Sequence, residues 1–301
     1  PICKSAYYLD FLAVAQEEFQ ACFPDVSVGS STCGGLNFLD VDWPHGDVSP
    51  LTRLSCVQGL FTQTENGLQC LDVGPGFFLP EGVVWGDKYR GKTSEVATQL
   101  GINLALEFSS FKNHEALELL DPMAGRGTTL FWAARYGIDA VGIEYKKEVL
   151  EHFHRHVKKQ SKIHRIKHKV LKGQHGKKQK NGHGAFREVQ WPHCKSKLII
   201  GDSAKLSLKS AFNMLVTDLP YGIQFTGLKS RNPIELIEQC ASNWVSMLQE
   251  GSAVVLIFNA LQPKRADLAD VFIRQGLTEC NFSGAHRMSE SIKREFLVLR
   301  K

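Results

Sequence analysis

The chain has 301 residues, of which 43% are hydrophobic and 22% charged, and its net charge is +5. These values are ordinary for a soluble globular protein, and the length predicts one large domain and a smaller one. No apolar run approaches the roughly 20 residues of a membrane span, and no signal peptide is visible, so we expect a cytoplasmic protein without membrane contact. Eight scattered cysteines without a CxxC pair exclude a disulfide scaffold and predict reduced thiols.

The positive charge is concentrated in one segment. Residues 146–197 carry sixteen Lys or Arg and three Glu, a net charge of +13, which leaves −8 on the rest of the chain. The same segment holds eight of the eleven histidines. Such a concentration is typical of a surface that binds a polyanion, although a solvated charge run is the alternative interpretation.

In chain order, residues 1–80 predict a small α/β N-terminal domain. We expect strands over residues 6–11, 35–41 and 68–73, a helix over residues 13–22, and a second helix that opens at residue 49. The run from Gly74 to Gly82 is rich in proline and glycine and predicts a linker. A second domain over residues 81–301 follows from this boundary.

In the second domain, strands and helices alternate. Helices are expected over residues 94–107, 128–136 and 148–157, and strands over 116–120, 140–143, 198–200, 214–217, 253–258, 277–281 and 296–299. The alternation predicts a Rossmann-like, mostly parallel sheet in a three-layer α/β fold, with an antiparallel hairpin formed by the last two strands. Residues 158–197 are weakly periodic, so we expect an irregular basic insert there.

The first motif with chemical content runs from Asp121 to Thr128. A strand-terminal carboxylate is followed by Gly125 and Gly127 and then by the start of a helix, whose amino end favours an anionic group of a ligand. The third glycine of a dinucleotide fingerprint is missing, because Leu130 occupies its place, so a ligand without a pyrophosphate is favoured over a nicotinamide cofactor. A plain tight turn is the alternative.

Two further acids end the next strands of the predicted sheet. Glu144 comes seventeen residues after Gly127, where an acid can accept hydrogen bonds from both hydroxyls of a ribose. Asp202 and Ser203 follow a third strand and can meet an adenine amine. A surface acid and a simple turn are the alternatives for these positions.

The second motif is Asp218-Leu219-Pro220-Tyr221, directly after an apolar strand. Ligands of open α/β sheets bind at the carboxyl ends of the strands. An acceptor oxygen at Asp218, a stiff turn and the flat ring of Tyr221 are suited to holding the exocyclic amine of a base while the ring stacks on it. A strand-end turn with a core tyrosine is the alternative.

This ordered set resembles the class I S-adenosylmethionine-dependent methyltransferases. It is similar to the amino-methylating group with an Asp/Asn-Pro-Pro-Tyr/Phe signature, and most similar to the tRNA guanine-N2 methyltransferases, whose signature is often followed by Gly, as Gly222 is here. Those enzymes also carry the Asp-Pro-(apolar)-Ala-Gly-x-Gly-Thr loop seen at residues 121–128. The resemblance covers residues 85–300, and residues 1–80 resemble the ferredoxin-like N-terminal module of those enzymes without an evident THUMP domain. Leu219 stands where proline is commoner.

The resemblance implies S-adenosylmethionine as the cofactor and RNA, specifically tRNA, as the substrate. It implies a catalytic set that holds the guanine amine: Asp218, Leu219, Pro220 and Tyr221. It implies a cofactor-binding set: Lys92, Thr93, Asp121, Met123, Ala124, Gly125, Gly127, Thr128, Glu144, Asp202 and Ser203. The basic insert is expected to contact RNA through Lys158, Lys159, Lys162, Arg165, Lys167, Lys169, Lys172, Lys177, Lys178 and Lys180.

Alternatives to this function remain open. One is an N6-adenine methyltransferase acting on DNA or RNA, and another is an RNA-binding protein of the same fold that is inactive or needs a small activating protein subunit. The intact Asp121, Glu144 and Asp218 argue against an inactive site. His152, His154 and His156 alternate on a predicted helix and do not share a face, so we expect no metal site. A zinc site that includes the nearby His193 and Cys194 is the alternative.

Overall fold

The N-terminal part of the chain forms one helix and two hairpins. A computed structural model of the protein describes residues 8–74, 76–85, 92–111, 116–177, 181–209, 211–219, 233–289 and 292–301, without the side chains of residues 8–10, 288 and 289. Helix α1 (Tyr8–Cys22) comes first. Antiparallel hairpins follow, the first of β1 (Val28–Cys33) and β2 (Leu36–Val41), the second of β3 (Leu60–Thr64) and β4 (Gly67–Leu71).

Three expectations for this part of the chain are corrected. The strand expected over residues 6–11 is wrong for residues 8–11, which belong to α1. Phe11, Val14, Ala15 and Phe19 are buried with the spacing of one helix face. The short apolar run over residues 6–11 does not by itself distinguish a helix from a strand. The second helix is a single 3-10 turn, Ser49–Arg53. The four strands form two separate two-stranded sheets and not one ferredoxin-like sheet.

Ten strands form the main sheet. They are β5 (Glu118–Asp121), β6 (Asp139–Glu144), β7 (Lys169–Gln174), β8 (Ala185–Gln190), β9 (Lys195–Ile200), β10 (Phe212–Asp218), β11 (Leu248–Asn259), β12 (Thr278–Glu279), β13 (Ala285–Ser289) and β14 (Ile292–Arg300). Their order is β12-β14-β11-β10-β5-β6-β9-β8-β7, and β13 also pairs with β14. The five central strands, β9, β6, β5, β10 and β11, are parallel, and β13 and β14 form an antiparallel hairpin. The predicted Rossmann-like sheet with its C-terminal hairpin is confirmed.

Helices cover both faces of this sheet. They are α2 (Glu95–Phe108), α3 (Thr128–Tyr136), α4 (Val149–His164), α5 (Pro233–Ser246) and α6 (Arg265–Ile273). One hydrophobic core contains buried residues of α2, α3 and α4, together with Phe11, Val14 and Ala15 of α1. A second core contains buried residues of α5 and α6, among them Trp244 and Phe272. The protein is therefore a three-layer α/β fold in which α1 shares the core of the main sheet.

The described residues of the basic insert form a helix and strands, where irregular structure was expected. Helix α4 continues to His164, and β7 and β8 form an antiparallel hairpin that pairs with β9 and extends the sheet. Most residues of β7 and β8 are exposed or half-buried. A hairpin at a sheet edge buries little apolar surface, so its sequence lacks the clear alternation of a strand with one fully buried face.

A buried polar network joins the N-terminal helix to the main fold. Glu18 is 1% exposed and accepts hydrogen bonds from the amide of Ser55 at 2.9 and 3.0 Å and from the hydroxyl of Ser55 at 2.6 Å. Asn103 of α2 donates to the same carboxylate at 2.7 Å and to the Arg53 carbonyl at 2.8 Å. The hydroxyl of Tyr136 in α3 donates to Asn103 Oδ1 at 2.5 Å. Four segments of the chain therefore meet at one carboxylate.

Candidate active site

Four of the predicted acids lie at one edge of the sheet. Asp121 ends β5, Glu144 ends β6, Asp202 follows β9 and Asp218 ends β10. These strands are parallel neighbours, so their carboxyl ends meet. After β5 the chain continues to β6 on one side of it, whereas β10 lies on the other side. The order of strands therefore reverses between β5 and β10, and open α/β sheets bind ligands at such a topological switch point.

Asp121 is buried at this switch point. Its Oδ1 accepts hydrogen bonds from the Thr217 hydroxyl at 2.7 Å and from the Met123 amide at 3.1 Å. The pKa of Asp121 is raised to about 6, mainly by burial and to a smaller extent by the nearby Asp218. These hydrogen bonds and one from Thr129 lower the pKa and offset part of that rise. Burial makes ionisation of this carboxyl unfavourable, but once ionised its negative charge can attract a cationic ligand.

The glycine loop between β5 and α3 has the backbone geometry that the motif predicts. Gly125 and Gly127 have φ values of 51° and 89°, a conformation that favours glycine. A Cβ at Gly127 would lie 2.9 Å from the ring of Phe153, whereas one at Gly125 would meet nothing within 4 Å. Gly127 is therefore fixed by packing, and Gly125 borders open space that a ligand can fill.

Glu144 connects this loop to the next strand. Its Oε2 accepts a hydrogen bond from the Gly125 amide at 3.0 Å, and its Oε1 accepts one from the Lys146 amide at 3.0 Å. A carboxylate oxygen has two lone pairs, so each oxygen of Glu144 keeps one acceptor position for a ribose hydroxyl. The residues around Gly125 and Glu144 thus fit a nucleoside ligand.

The remaining predicted cofactor residues divide into two groups. Ala124 and Thr128 are buried, and Met123 packs against the second core beside the loop. Asp202 caps its own turn by accepting from the Ala204 amide at 3.1 Å, while the Ser203 hydroxyl lies 3.9 Å from Cys240 Sγ. Contacts with adenine by Asp202 and Ser203 stay a prediction.

Lys92 and Thr93 precede α2 and differ in their surroundings. Lys92 forms an ion pair with Glu95 in the first turn of that helix. The side chain of Thr93 is close enough to Asp218 to lower the pKa of that carboxyl. The structure therefore brings Thr93 to the end of β10.

Asp218 has an ion-pair partner that the sequence analysis missed. Arg294 of β14 places its Nη2 atom 3.1 Å from each of the two carboxylate oxygens. The two side chains are 5% and 9% exposed. Next to Asp218, Leu219 is buried, and its amide donates to the Ile257 carbonyl at 2.8 Å. Pro220, Tyr221 and Gly222 lie outside the described residues.

The predicted RNA-binding residues are exposed but do not form one patch. Described members of the set are Lys158, Lys159, Lys162, Arg165, Lys167, Lys169, Lys172 and Lys177, whereas Lys178 and Lys180 lie outside the described residues. Lys169 in β7 is the Cα partner of Gln190 in β8, and Gln190 is the Cα partner of Lys195, the first residue of β9. The start of β7, and the end of α4 that precedes it, therefore lie at the amino edge of the sheet. The hairpin turn after β7 lies at the carboxyl edge.

The hairpin turn contacts the candidate site. The ring of His183 lies 5.1 Å from that of Tyr145, the residue after Glu144. Tyr145 is 61% exposed. An exposed aromatic ring followed in the chain by Lys146 and Lys147 combines a stacking surface with positive charge at the rim of the site.

A separate cleft lies in the N-terminal part of the chain. It measures about 740 Å³ and is lined by residues of both hairpins and by Phe19, Trp43 and Leu51. None of the predicted site residues lines it. We do not assign the candidate active site to this cleft, because the predicted acids and the glycine loop lie at the carboxyl edge of the main sheet.

Comparison with known proteins assigns the chain to a family. The family model described as "RMKL-like, methyltransferase domain" matches residues 106–271, more than half of the chain. The chain belongs to this family. Membership in a methyltransferase family, together with the class I fold, gives this methyltransferase S-adenosylmethionine as its cofactor. Gly125 and Glu144 are the residues whose surroundings fit it.

Solved structures resemble the methyltransferase at low identity. TrmN from Thermus thermophilus is 15% identical with a TM-score of 0.47, and the match covers 92% of this chain and 60% of TrmN. Magnesium protoporphyrin IX methyltransferase (ChlM) from Synechocystis PCC 6803 is 14% identical with a TM-score of 0.45, over 72% of this chain and 88% of ChlM. The tRNA methyltransferase TrmK from B. subtilis is 10% identical with a TM-score of 0.41, over 67% of this chain and 64% of TrmK. The chain thus spans 60% of the length of TrmN.

No curated protein sequence matches the chain significantly. In the part of the chain that the structure describes, no helix is long and apolar enough to cross a membrane. Within the same residues, no three His, Cys, Asp or Glu side chains are grouped in a way that can hold a metal ion. His193 contacts Phe78, and burial raises the pKa of the neighbouring Cys194 thiol to about 12.

The buried charge of Asp121 should lower the free energy of unfolding, although the same charge is predicted to help bind the cofactor. Between the ordinary pKa of 3.8 and the folded value of about 6, the folded state binds more protons than the unfolded state, so stability falls as pH rises through this window. We expect Asp121→Asn to raise the free energy of unfolding at pH 7.5 by up to about 3 kcal/mol, and to have little effect near pH 4. Denaturant unfolding at both pH values measures this difference.

The same variant should bind the cofactor less well. S-adenosylmethionine carries a sulfonium charge that S-adenosylhomocysteine lacks, so Asp121→Asn is expected to weaken binding of the first compound more than binding of the second. Calorimetry with both compounds tests this expectation. A variant less stable than wild type at pH 7.5, or equally weakened for both compounds, would contradict the role of Asp121 as a buried negative charge.

Proposed function

We propose that this methyltransferase acts on RNA and methylates the exocyclic N2 amine of guanosine, specifically in tRNA. The observation that carries the proposal is the carboxylate of Asp218 at the switch point. Among the described residues, its Oδ1 atom accepts no hydrogen bond of standard geometry, although it is buried. Oδ1 lies 3.1 Å from the Arg294 guanidinium, but a carboxylate oxygen accepts more than one hydrogen bond, and the amine of a base supplies a donor.

The proposed roles of the residues follow from the chemistry of the amine. The lone pair of an exocyclic amine is delocalised into the base, so the nitrogen is a poor nucleophile. Asp218 accepts a hydrogen bond from the amine and orients its lone pair, while Tyr221 is proposed to stack on the base. S-adenosylmethionine supplies an electrophilic methyl group. The amine loses a proton readily after alkylation, so Asp218 acts mainly by positioning and by electrostatic stabilisation.

The basic residues support RNA as the substrate. A base reaches the switch point only when it is unstacked or flipped out of its strand. The exposed ring of Tyr145 and the hairpin turn lie at the rim of the site. Lys169 and Lys172 are exposed on opposite faces of the edge strand β7, so they flank a positive surface along its edge. Six residues of β-strand span about 20 Å, so this surface can follow several nucleotides from the site to the opposite edge.

The experiment that tests the proposal is methylation of total tRNA. The protein is incubated with tRNA and labelled S-adenosylmethionine, and the digested nucleosides are analysed by mass spectrometry. We expect label in N2-methylguanosine. Label in N6-methyladenosine would overturn the choice of base, and absence of label from every RNA tested, with cofactor binding intact, would overturn RNA methylation.

The lysines of the insert should make RNA binding dependent on salt. Each lysine that neutralises a phosphate contributes roughly 0.7–0.9 to the slope of log K against log salt. We expect Lys169→Gln, Lys172→Gln and Lys177→Gln together to weaken tRNA binding and to lower this slope, measured by filter binding between low and physiological salt. The triple variant Lys158→Gln, Lys159→Gln and Lys162→Gln tests the amino edge separately.

A matched control is available for this measurement. Lys209 is exposed but lies outside the insert, before β10. Lys209→Gln should leave affinity and slope unchanged, while Lys172→Gln lowers both. An unchanged slope in both triple variants would mean that the insert is a solvated charge run.

A further inference from the structure

Arg294 reaches the candidate site from a distant part of the chain. It lies on β14, and its Cα partner in β11 is Asn259. The Cα partner of Asp218 in β11 is Ile257, two residues earlier. The Arg294 guanidinium therefore crosses β11 to reach the end of β10. There its Nη2 atom is 3.1 Å from both Oδ1 and Oδ2 of Asp218.

We propose that Arg294 is a positioning residue that keeps Asp218 ionised and fixes the direction in which its carboxylate oxygens point. This inference rests on the proposed function, because it assigns to Asp218 the task of accepting a hydrogen bond from the substrate amine. A protonated Asp218 would present a hydroxyl group, and one of its oxygens would become a donor. The arginine thereby sets the hydrogen-bonding character of the site.

The charges that face Asp218 explain why an arginine is needed. Burial raises the pKa of Asp218, and the Arg294 guanidinium and a hydrogen bond from Thr93 lower it. Asp121 of β5 is the second carboxylate, and the nearby negative charge of Asp218 raises its pKa. His286 of β13 is the Cα partner of Arg294, and burial lowers its pKa to about 4, so it is neutral at physiological pH. Among these described groups, Arg294 supplies the positive charge.

The geometry also favours arginine over lysine. One nitrogen of the planar guanidinium, Nη2, approaches both oxygens of the carboxylate, and the side chain is buried, 5% exposed. An ammonium group is a compact point charge on a flexible stem and fixes no plane. Arg294→Lys therefore keeps the charge and loses the orientation, whereas Arg294→Met loses both.

The test is the pH dependence of methyl transfer under single-turnover conditions. Loss of an adjacent positive charge raises a carboxyl pKa by roughly 1–3 units, so the acid limb of the Arg294→Met profile should move upward by that amount. Its rate at pH 7 should fall by at least about tenfold, with a smaller change in apparent RNA affinity. In Arg294→Lys the acid limb should return towards its wild-type position while the plateau rate stays lowered.

Arg265 provides the matched control. It is a partly buried arginine that also holds β14, donating to the Phe296 carbonyl at 2.8 Å, but its carboxylate partner is Glu279. Arg265→Met should lower stability without moving the acid limb. If Arg294→Met behaves in the same way as Arg265→Met, Arg294 is a structural residue and the inference is wrong.

A second measurement does not depend on activity. In a double-mutant cycle of unfolding, Asp218→Asn should destabilise Arg294→Met less than it destabilises the wild type, because removal of the arginine has already left the carboxylate buried without its cation. Additive effects would overturn the inference. If this coupling is observed but wild-type protein labels no RNA, the proposed function fails and the ion pair stands. If wild type labels RNA and the acid limb of Arg294→Met is unchanged, only the inference on Arg294 fails.

Discussion

Replacement of Asp218 by alanine should reduce methyl transfer by at least about a hundredfold and leave cofactor binding nearly intact. The carboxylate lies at the end of β10, across the switch point from the glycine loop, and it is the proposed acceptor for the amine. Its loss removes the group that orients the nucleophile and stabilises the charge that develops on it. Single-turnover assays with tRNA, together with calorimetry with S-adenosylmethionine, measure the two effects separately.

A matched variant separates loss of the acceptor from loss of structure. Asp218→Ala leaves Arg294 buried beside an apolar side chain, whereas Asp218→Asn keeps the shape and one acceptor oxygen. We expect Asp218→Asn to retain more activity than Asp218→Ala and to remain folded by circular dichroism. Wild-type turnover in Asp218→Ala would remove Asp218 from the proposed reaction.

Replacement of Glu18 by alanine should lower the free energy of unfolding by about 3 kcal/mol. The buried amide of Ser55 and the side-chain amide of Asn103 would lose an acceptor, and each unsatisfied buried donor costs about 1–3 kcal/mol. Relief of the buried acid, whose pKa is raised by burial, offsets part of this cost. Denaturant unfolding measures the change.

The neighbouring glutamate is the control for this prediction. Glu17 is half-buried and, among the described residues, accepts side-chain hydrogen bonds at the surface from the Ser283 hydroxyl alone, at 2.8 and 3.0 Å. Glu17→Ala should change stability by no more than about 0.5 kcal/mol. Equal stability of the two variants would show that the Glu18 network does not hold α1 to the main fold.

The strand ends of the site were accessible from sequence because parallel strands are buried on both faces. Such strands appear as short apolar runs, and the polar residue that ends each run marks the carboxyl edge of the sheet. Asp121, Glu144 and Asp218 follow this rule, and their strands are confirmed with boundaries that differ by a few residues. The glycine loop is equally local, since it depends on backbone conformation within eight residues.

Arg294 could not be predicted in the same way. It is 76 residues from Asp218 in the chain, and their contact depends on the order of β10, β11 and β14 in the sheet. An arginine in a late strand looks like any solvent-facing position until the neighbouring strands are known. The basic hairpin was missed for a related reason, because pairing with β9, and not periodicity, makes β7 and β8 strands.

The position of β7 has a consequence for the solubility of the protein. Within the described part of the chain, β7 is the last strand on its side of the ten-stranded sheet, so one row of its backbone N–H and C=O groups has no partner strand there. Exposed edges of this kind pair readily with strands of other molecules, and lysines on the edge oppose such pairing by charge repulsion. Lys169 and Lys172 lie on this strand, while the other edge is occupied by β12, only two residues long, and by β13. Variants that neutralise these lysines are therefore expected to aggregate more readily than wild type, whatever they do to RNA binding.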